Sequence, residues 1–206
     1  MKLAHLNPLD TRAAPPAGWR LFACWLAMAM LSSDALSKTP TGDQKMLDDF
    51  EEDRGWQTVN DNVMGGRSLG QVSLQNGHLV FEGALNTNGG GFASVRRSIA
   101  PGSLSDARGL LLHAKGDGRG YRLTLRGDQQ FRGRTVTYQA DFPVMATDQW
   151  VDVRIDFDRL SPSLFGQRVP VGPLDLGSVW SIGVIIADGV DGPFKLQIDS
   201  LQLERE

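Results

Sequence analysis

The stretch Trp150-Val-Asp-Val-Arg-Ile-Asp-Phe-Asp158 alternates strictly between apolar and charged side chains. Successive side chains of a β-strand point to opposite faces of the sheet, so this pattern predicts a strand buried on one face only. Tyr121-Arg-Leu-Thr-Leu-Arg126 has the same alternation. Its apolar residues would face a core, and Arg122, Thr124 and Arg126 would share the opposite face.

Further strand-like runs occupy most of the chain, at residues 72–74, 78–82, 93–97, 109–114, 135–140, 181–186 and 194–203. Turn sequences separate them, at Asn76-Gly77, Gly116-Asp-Gly118, Gly127-Asp128, Asp188-Gly189 and Asp191-Gly-Pro193. About ten short strands with little amphipathic helix indicate an all-β fold, an antiparallel β-sandwich or jelly roll.

The composition of the chain argues against several classes of function. The chain has 206 residues, a formal net charge of −3 and a single cysteine. A nucleic-acid-binding protein normally carries a strongly basic face, so we expect no nucleic-acid partner. One cysteine excludes an internal disulfide framework and a cysteine-rich zinc site.

The N-terminal segment has the pattern of a signal peptide. Arg12 and Arg20 precede the apolar run 21–31, and small residues lie near Ser37. The run is too short to span a bilayer comfortably. The sequence therefore predicts a signal peptide at 1–37, a polar linker at 38–49, and one β-sandwich domain at 50–206. The mature protein would be periplasmic or secreted, with no stable membrane span after cleavage.

Two polar, glycine-rich loops contain the densest motifs of the chain. They are Trp56-Gln-Thr-Val-Asn-Asp-Asn-Val-Met-Gly-Gly-Arg-Ser68 and Gly89-Gly-Gly-Phe-Ala-Ser-Val-Arg96. In these motifs the chain resembles the complex I intermediate-associated protein 30 family. The resemblance extends over roughly residues 50–204, through Gly116-Asp-Gly118, Tyr121, Tyr138-Gln139, Trp150, Phe157, Phe165-Gly166, Val169, Ile182, Asp188, Gly192-Pro-Phe194 and Ile198-Asp199.

This resemblance implies a galactose-binding-like β-sandwich, similar in shape to carbohydrate-binding modules. It also implies a non-enzymatic, assembly-factor or chaperone-like role with a protein client. The alternative from a different class is a carbohydrate-binding module of the cell envelope that binds a glycan. The two hypotheses differ in their sites: the glycan hypothesis requires exposed tryptophan or tyrosine on the concave face, and the assembly hypothesis requires a polar, arginine-bearing groove.

No catalytic or cofactor site emerges from the sequence. His78 and His113 lie in strand-like contexts and are not accompanied by a recognisable nucleophile. No phosphate-binding loop and no zinc-type histidine pair are present in the sequence. We therefore expect no enzymatic activity, no cofactor and no catalytic metal.

The candidate binding residues come from the two loops and from the strand at 121–126. They are Asn60, Asp61, Asn62, Met64, Gly65, Gly66, Ser68, Gly90, Gly91, Phe92, Ser94, Arg96, Arg122 and Arg126. The loop residues could form a ligand site on a rigid scaffold. Alternatively they satisfy one another, with Asp61 or Asn62 accepting from loop amides and Arg96 pairing with Asp61.

The arginines belong to a larger cluster of Arg119, Arg122, Arg126, Arg132 and Arg134. Guanidinium groups bind carboxylates and phosphates in a bidentate manner, so this face could bind an acidic glycan, a lipid headgroup or an acidic protein. The alternative is an exposed cross-strand ladder in which the arginines pair with Asp152 and Asp156.

Two further sites remain open from the sequence. The first concerns the aromatic residues Trp56, Trp150, Trp180, Tyr121 and Tyr138. Their rings could stack on sugars if they are exposed; alternatively, these residues pack in the core. Carboxylates of Glu51, Asp53 and Asp199 are of the type that holds a structural calcium ion.

Overall fold

A computed structural model describes residues 44–61 and 65–205. The strands are β1 Gln44–Asp48, β2 Gln57–Asn60, β3 Leu69–Gln75, β4 His78–Leu85, β5 Ala93–Ser98, β6 Ala107–Lys115, β7 Gly120–Phe131, β8 Arg134–Pro143, β9 Val151–Asp156, β10 Ser161–Leu164, β11 Gln167–Arg168, β12 Ser181–Ile186 and β13 Gly192–Arg205. Short 3-10 helices occupy Phe157–Arg159 and Leu176–Ser178.

The strands form two antiparallel sheets. The six-stranded sheet has the order β3-β4-β13-β6-β9, with β1 paired to the end of β13. The seven-stranded sheet has the order β11-β10-β8-β7-β12-β5-β2. This architecture confirms the predicted antiparallel β-sandwich.

The core lies between the two sheets and follows from the alternation. On β7, Tyr121, Leu123 and Leu125 are at most 1% exposed. They pack with inward residues of the other sheet such as Phe81 and Leu112 in one cluster. The residues between them on β7, Arg122, Thr124 and Arg126, are therefore left on the outer face of the seven-stranded sheet.

One bound of the predicted linker needs correction. Residues 44–48 form strand β1, in which Gln44 pairs with Glu204 and Lys45 with Leu203. The sequence Gln-Lys-Met-Leu-Asp has no period-2 alternation, so only its pairing to β13 defines it as a strand. Residues 1–43, including the predicted signal peptide, lie outside the described residues.

Other differences concern short or irregular strands. The sequence analysis did not predict β2, β10 and β11, which are short and lack alternation. The predicted turn at Gly127-Asp128 lies instead inside β7, where the pairing to β8 is irregular between Arg126 and Gln130. Within the described part of the chain, no helix has the length and apolar character that a membrane crossing requires.

Candidate functional site

The carboxyl group of Asp61 organises the two glycine-rich loops. Asp61 is fully buried. Its Oδ1 accepts from Ser68 N at 3.0 Å, and its Oδ2 accepts from Ser68 Oγ at 2.7 Å. The same Oδ2 accepts from Gly91 N at 2.6 Å and from Phe92 N at 3.4 Å. We call Asp61, Ser68, Gly90, Gly91 and Phe92 the Asp61 cluster.

Burial by itself would raise the pKa of Asp61, but the hydrogen bonds from Gly91, Ser68 and Phe92 outweigh it, so the pKa is lowered. The glycines are required because the backbone approaches this carboxyl group closely. A Cβ on Gly66 or Gly90 would overlap the Asp61 side chain. One glycine of each motif, Gly66 and Gly90, is therefore a packing requirement of the buried carboxylate.

Neighbouring polar residues of the loops also bond internally. Asn60 Nδ2 donates to Gly70 O at 3.0 Å, and Asn60 Oδ1 accepts from Gly70 N at 3.1 Å. Ser68 Oγ accepts from Asn86 N at 3.1 Å. The described loop residues thus follow the self-satisfied alternative, except that Asp61 does not pair with Arg96. Asn62 and Met64 lie outside the described residues.

A groove of about 680 Å³ lies on the outer face of the seven-stranded sheet, beside the Asp61 cluster. The sheet order brings β10, β8, β7, β12, β5 and β2 side by side beneath it. Small polar side chains from several of these strands form its base. They are Ser94, Thr124, Thr137, Gln139, Ser163 and Ser181. We call this feature the arginine groove, after Arg96, Arg122 and Arg126 in its lining.

A glycine on β12 makes room for these side chains. Gly183 pairs with Arg96 of β5 on one side and with Thr124 of β7 on the other. A Cβ at Gly183 would lie 2.7 Å from the Arg96 Cβ and 3.0 Å from the Thr124 hydroxyl. The absence of a side chain at Gly183 therefore lets Arg96 of β5 and Thr124 of β7 approach each other closely over β12.

Arg96 and Arg126 bring positive charge into the groove without a matching acid. Neither forms an ion pair with any carboxylate of the described residues. Arg126 Nε donates only to the neutral Thr137 hydroxyl, at 2.9 Å. Burial lowers the pKa of Arg126, and the nearby positive charge of Arg96 lowers it further. Both guanidinium groups therefore contribute positive charge to the same part of the groove.

The other arginines of the predicted cluster have different contacts and do not form one site. Arg122 Nε donates to Asp141 at 2.7 Å, and this pair is exposed at the edge of the groove. Arg119 is structural: it donates to both carboxyl oxygens of Asp188, at 2.7 and 2.8 Å. Arg132 and Arg134 lie over the rings of Phe131 and Phe165 respectively.

The proposed ladder to Asp152 and Asp156 is wrong. Both aspartates belong to β9 in the six-stranded sheet, whereas the arginines of the groove belong to β5 and β7. Asp152 contacts His113 Nδ1 at 2.7 Å, and Asp156 accepts from Arg154 Nε at 2.8 Å. Sequence alone could not assign β7 and β9 to different sheets.

The predicted aromatic candidates do not line the groove. Trp56, Tyr121 and Tyr138 are buried in the core. Trp150 contacts His78 and His113, with ring centroids 4.7 and 5.6 Å away. Trp180 Nε1 donates to Gly127 O at 3.1 Å. The aromatic rings of the groove lining are instead Phe92 and Phe165.

The hypothesis of a calcium site gains no support. Asp199 contacts His78 Nδ1 at 3.1 Å, and Asp53 Oδ1 accepts from Gly55 N at 2.8 Å. No group of three or more acidic, histidine or cysteine residues suited to a metal ion occurs among residues 44–61 and 65–205.

Several predicted site residues meet in the arginine groove, namely Asp61, Gly90, Gly91, Phe92, Ser94, Arg96, Arg122 and Arg126. Asn60, Gly65, Gly66 and Ser68 are not among its lining residues. Thr137, Ser163 and Ile185 were not predicted as site residues, because the positions of their strands in the sheet are not visible in the sequence. Phe165, in the turn between β10 and β11, was not predicted as a site residue either. For β8 a signal existed, since Thr137 and Gln139 alternate with buried residues.

Solved structures with the same fold are carbohydrate-binding modules. The chain is similar to the family 11 carbohydrate-binding module of the cellulosomal cellulase Lic26A-Cel5E of Clostridium thermocellum. The TM-score is 0.62 at 19% identity, over 80% of this chain and 96% of that one. A second structure of a family 11 module from Clostridium thermocellum, in complex with a mixed-linked tetrasaccharide, has a TM-score of 0.60 at 20% identity, over 79% of this chain and 95% of that one. At such low identity, these likenesses show the fold.

A curated relative is the mitochondrial complex I intermediate-associated protein 30 of Mus musculus. It is 29% identical over 164 residues, which are 70% of this chain and 50% of the relative. The chain thus spans about half the length of that relative. Because the relative is a mitochondrial protein, the prediction of a periplasmic or secreted location is wrong.

The sequence profile described as Complex I intermediate-associated protein 30 matches residues 45–198, which covers nearly all of the described β-sandwich. This match confirms the resemblance found in the two glycine-rich motifs. The chain belongs to the complex I intermediate-associated protein 30 family.

Proposed function

We propose that this chain is a non-enzymatic, assembly-factor-like protein that binds a protein client in the arginine groove. The observation that carries the proposal is a pair of arginines in an open groove, Arg96 and Arg126, that have no carboxylate partner among the described residues. A partly desolvated cation without a partner loses hydration and gains nothing in return, so such a pair favours a ligand that supplies the missing acceptors.

The chemistry of the groove lining supports binding without catalysis. Its titratable side chains are those of Asp61 and three arginines. The Asp61 oxygens are occupied by loop amides and the Ser68 hydroxyl. Arginine does not release its proton at neutral pH, so the described lining contains no group suited to general acid–base catalysis.

A glycan is the second candidate ligand, and the shared fold with carbohydrate-binding modules favours it. Sugar rings stack on exposed aromatic faces, for which tryptophan and tyrosine are the residues that the glycan hypothesis requires. Among the residues that the structure describes, the aromatic members of the groove lining are Phe92 and Phe165. We therefore rank a protein client above a glycan.

A steric block of the groove tests this function. Thr124 lies at its centre, and Thr124→Trp would fill the space above Gly183. Ser73→Trp on the exposed side of β3 introduces the same side chain far from the groove. Full-length wild type and both variants would serve as bait in cells that make this protein, and the captured proteins would be identified by mass spectrometry.

We expect wild type and Ser73→Trp to capture the same protein, and Thr124→Trp to lose it while retaining its melting temperature. Equal capture by all three forms would refute the groove as the client site. A parallel thermal-shift series with β-glucans tests the second candidate, for which ligand at ~100 times its dissociation constant adds about 2.7 kcal/mol of stability.

A further inference from the structure

The positive charge of the arginine groove comes from two strands that are not neighbours in the sheet. Arg96 projects from β5 and Arg126 from β7, with β12 between them. Strands in a sheet are ~4.8 Å apart, so the β5 and β7 backbones are separated by about 10 Å. The two arginines are also offset along the strands, because Arg96 pairs with Gly183 and Arg126 with Ser181. Both side chains are half-buried. The Arg96 side chain forms no hydrogen bond or ion pair with any described residue, whereas Arg126 donates to Thr137.

The surroundings of the two arginines are polar at the base and apolar at the ends. Thr124 on β7 and Thr137 and Gln139 on β8 supply neutral hydrogen-bonding groups beside Arg126. Phe92 begins the lining on the β5 side, and Phe165 lies in the turn between β10 and β11 on the other. Phe165 is 66% exposed, and the guanidinium group of Arg134 lies over its ring.

From this arrangement we infer that the client segment held in the groove is an acidic, extended peptide. Two of its carboxylates bind Arg96 and Arg126, and an apolar side chain next to them packs on Phe92 or Phe165. The inference rests on the proposed function and names the chemical class of its client.

The geometry of an extended peptide suits this site. Alternate side chains of an extended chain project to the same side, about 6.6 Å apart. This spacing is shorter than the separation of the two arginine backbones, but the effect of the Arg96 charge on Arg126 indicates that the two long side chains converge. Acidic residues at two alternate positions would therefore present both carboxylates to the two guanidinium groups. Guanidinium and carboxylate groups form paired, charge-assisted hydrogen bonds, which neutral ligands do not offer.

An acidic peptide fits better than an acidic glycan for two reasons. The apolar ends of the groove match the side chains of a peptide, whereas a polysaccharide of uronic acids repeats polar units along its length. The lining also contains no tryptophan or tyrosine on which successive sugar rings would stack.

Fluorescence anisotropy with the full-length protein tests the inference. The probe is a labelled hexapeptide, Thr-Glu-Thr-Glu-Thr-Leu, in which both glutamates and the leucine share one side when the chain is extended. The matched probe replaces both glutamates with glutamine. The protein variants are Arg96→Gln/Arg126→Gln and, as a charge-matched control, Arg108→Gln/Arg132→Gln. Arg108 is exposed on the six-stranded sheet, and Arg132 lies in the β7–β8 turn.

We expect the glutamate probe to bind wild type and the control with equal dissociation constants. Binding by Arg96→Gln/Arg126→Gln, and binding of the glutamine probe, should each be at least about tenfold weaker, since one charge-assisted hydrogen bond corresponds to roughly that factor. Added salt should weaken binding of the glutamate probe, because the groove is open to solvent and its charges are screened.

Equal binding of both probes, or equal loss in both double variants, would overturn the inference. Binding of an oligogalacturonate with no binding of the peptide would also overturn it, in favour of an acidic glycan. Each of these three results leaves the proposed function standing if Thr124→Trp still abolishes client capture. Peptide binding without any client capture would instead contradict the proposed function.

Discussion

At the scale of single residues, one buried carboxylate explains the densest motif of the sequence. The Asp61 side chain accepts hydrogen bonds from Ser68 before β3 and from Gly91 and Phe92 before β5. It thereby fixes the loop edge of the groove that carries Phe92. Most residues of the first motif are therefore structural, whereas Phe92, Ser94 and Arg96 of the second motif line the groove itself.

Replacement of Asp61 by asparagine should destabilise the fold. An amide oxygen cannot replace both carboxylate oxygens, so buried donors such as Gly91 N would lose their acceptor. Each unsatisfied buried group costs about 1–3 kcal/mol. We expect Asp61→Asn to lose roughly 3 kcal/mol, or about 6–12 °C in melting temperature for a domain of this size. Asp53→Asn keeps an amide oxygen that can accept the exposed hydrogen bond from Gly55 N, so it should change stability by less than about 0.5 kcal/mol in chemical denaturation.

The contribution of Asp61 should depend on pH with a defined sign. Its pKa is lower in the folded state than in the unfolded chain, so its stabilisation is fully present above the unfolded value of about 4. It disappears as the pH falls through the lowered folded pKa. Denaturant unfolding of wild type and Asp61→Asn should therefore differ most at neutral pH and converge in acid. A difference that grows as the pH falls below about 4 would contradict this account.

The glycine next to this carboxyl group gives a separate prediction. Gly90→Ala would place a methyl group in the space of the Asp61 side chain. We expect a loss of about 1–3 kcal/mol, as for overpacked core positions. Gly172→Ala is the matched control, because an added Cβ there meets no atom within 4 Å. Equal melting temperatures of the two variants would show that the loop relaxes around the extra methyl group.

At the scale of elements, β1 connects the two sheets at one edge. It pairs with β13 of the six-stranded sheet. Its last residue, Asp48, is buried and lies 2.8 Å from Arg97 Nε of β5 in the seven-stranded sheet. Asp48 also accepts from the Trp56 indole at 3.1 Å. This strand is therefore part of the folded domain.

Loss of the Asp48 charge should be costly for this reason. Asp48→Asn leaves the guanidinium group of Arg97, which is 9% exposed, without its partner. Breaking one side of a buried ion pair costs about 3–5 kcal/mol. Asp49→Asn, one residue away, alters only exposed contacts to Arg54 and Glu51 and should be close to neutral. Urea denaturation of both variants checks the contrast, and equal midpoints would contradict it.

The sequence predicted the long strands and missed the short ones for a physical reason. β7, β9 and β13 bury one face, so their alternation is visible without knowledge of the fold. β1 and β10 owe their strand conformation to a neighbour, and Pro162 in β10 even argues against a strand. Alternation also placed Arg122 and Arg126 on one face. It could not reveal Thr137 or Phe165 as their neighbours, because that requires the order β10-β8-β7-β12-β5.

At the scale of the whole molecule, the arginine groove differs in charge from the rest of the protein. The chain has a net charge of −3. The groove lining, in contrast, contains three arginines and a single, internally bonded aspartate. A positive groove on an otherwise acidic protein directs an acidic partner to one face and repels it from the others.

The most direct test of this account is site-specific photo-crosslinking from the groove. A benzophenone amino acid would replace Gln139 in the groove lining or, as the control, the exposed Gln71 on β3 of the other sheet. The account predicts a discrete protein adduct from position 139, reduced by Arg96→Gln/Arg126→Gln, and none from position 71. Adducts of equal yield from both positions, or an adduct from position 71 alone, would show that the client binds elsewhere.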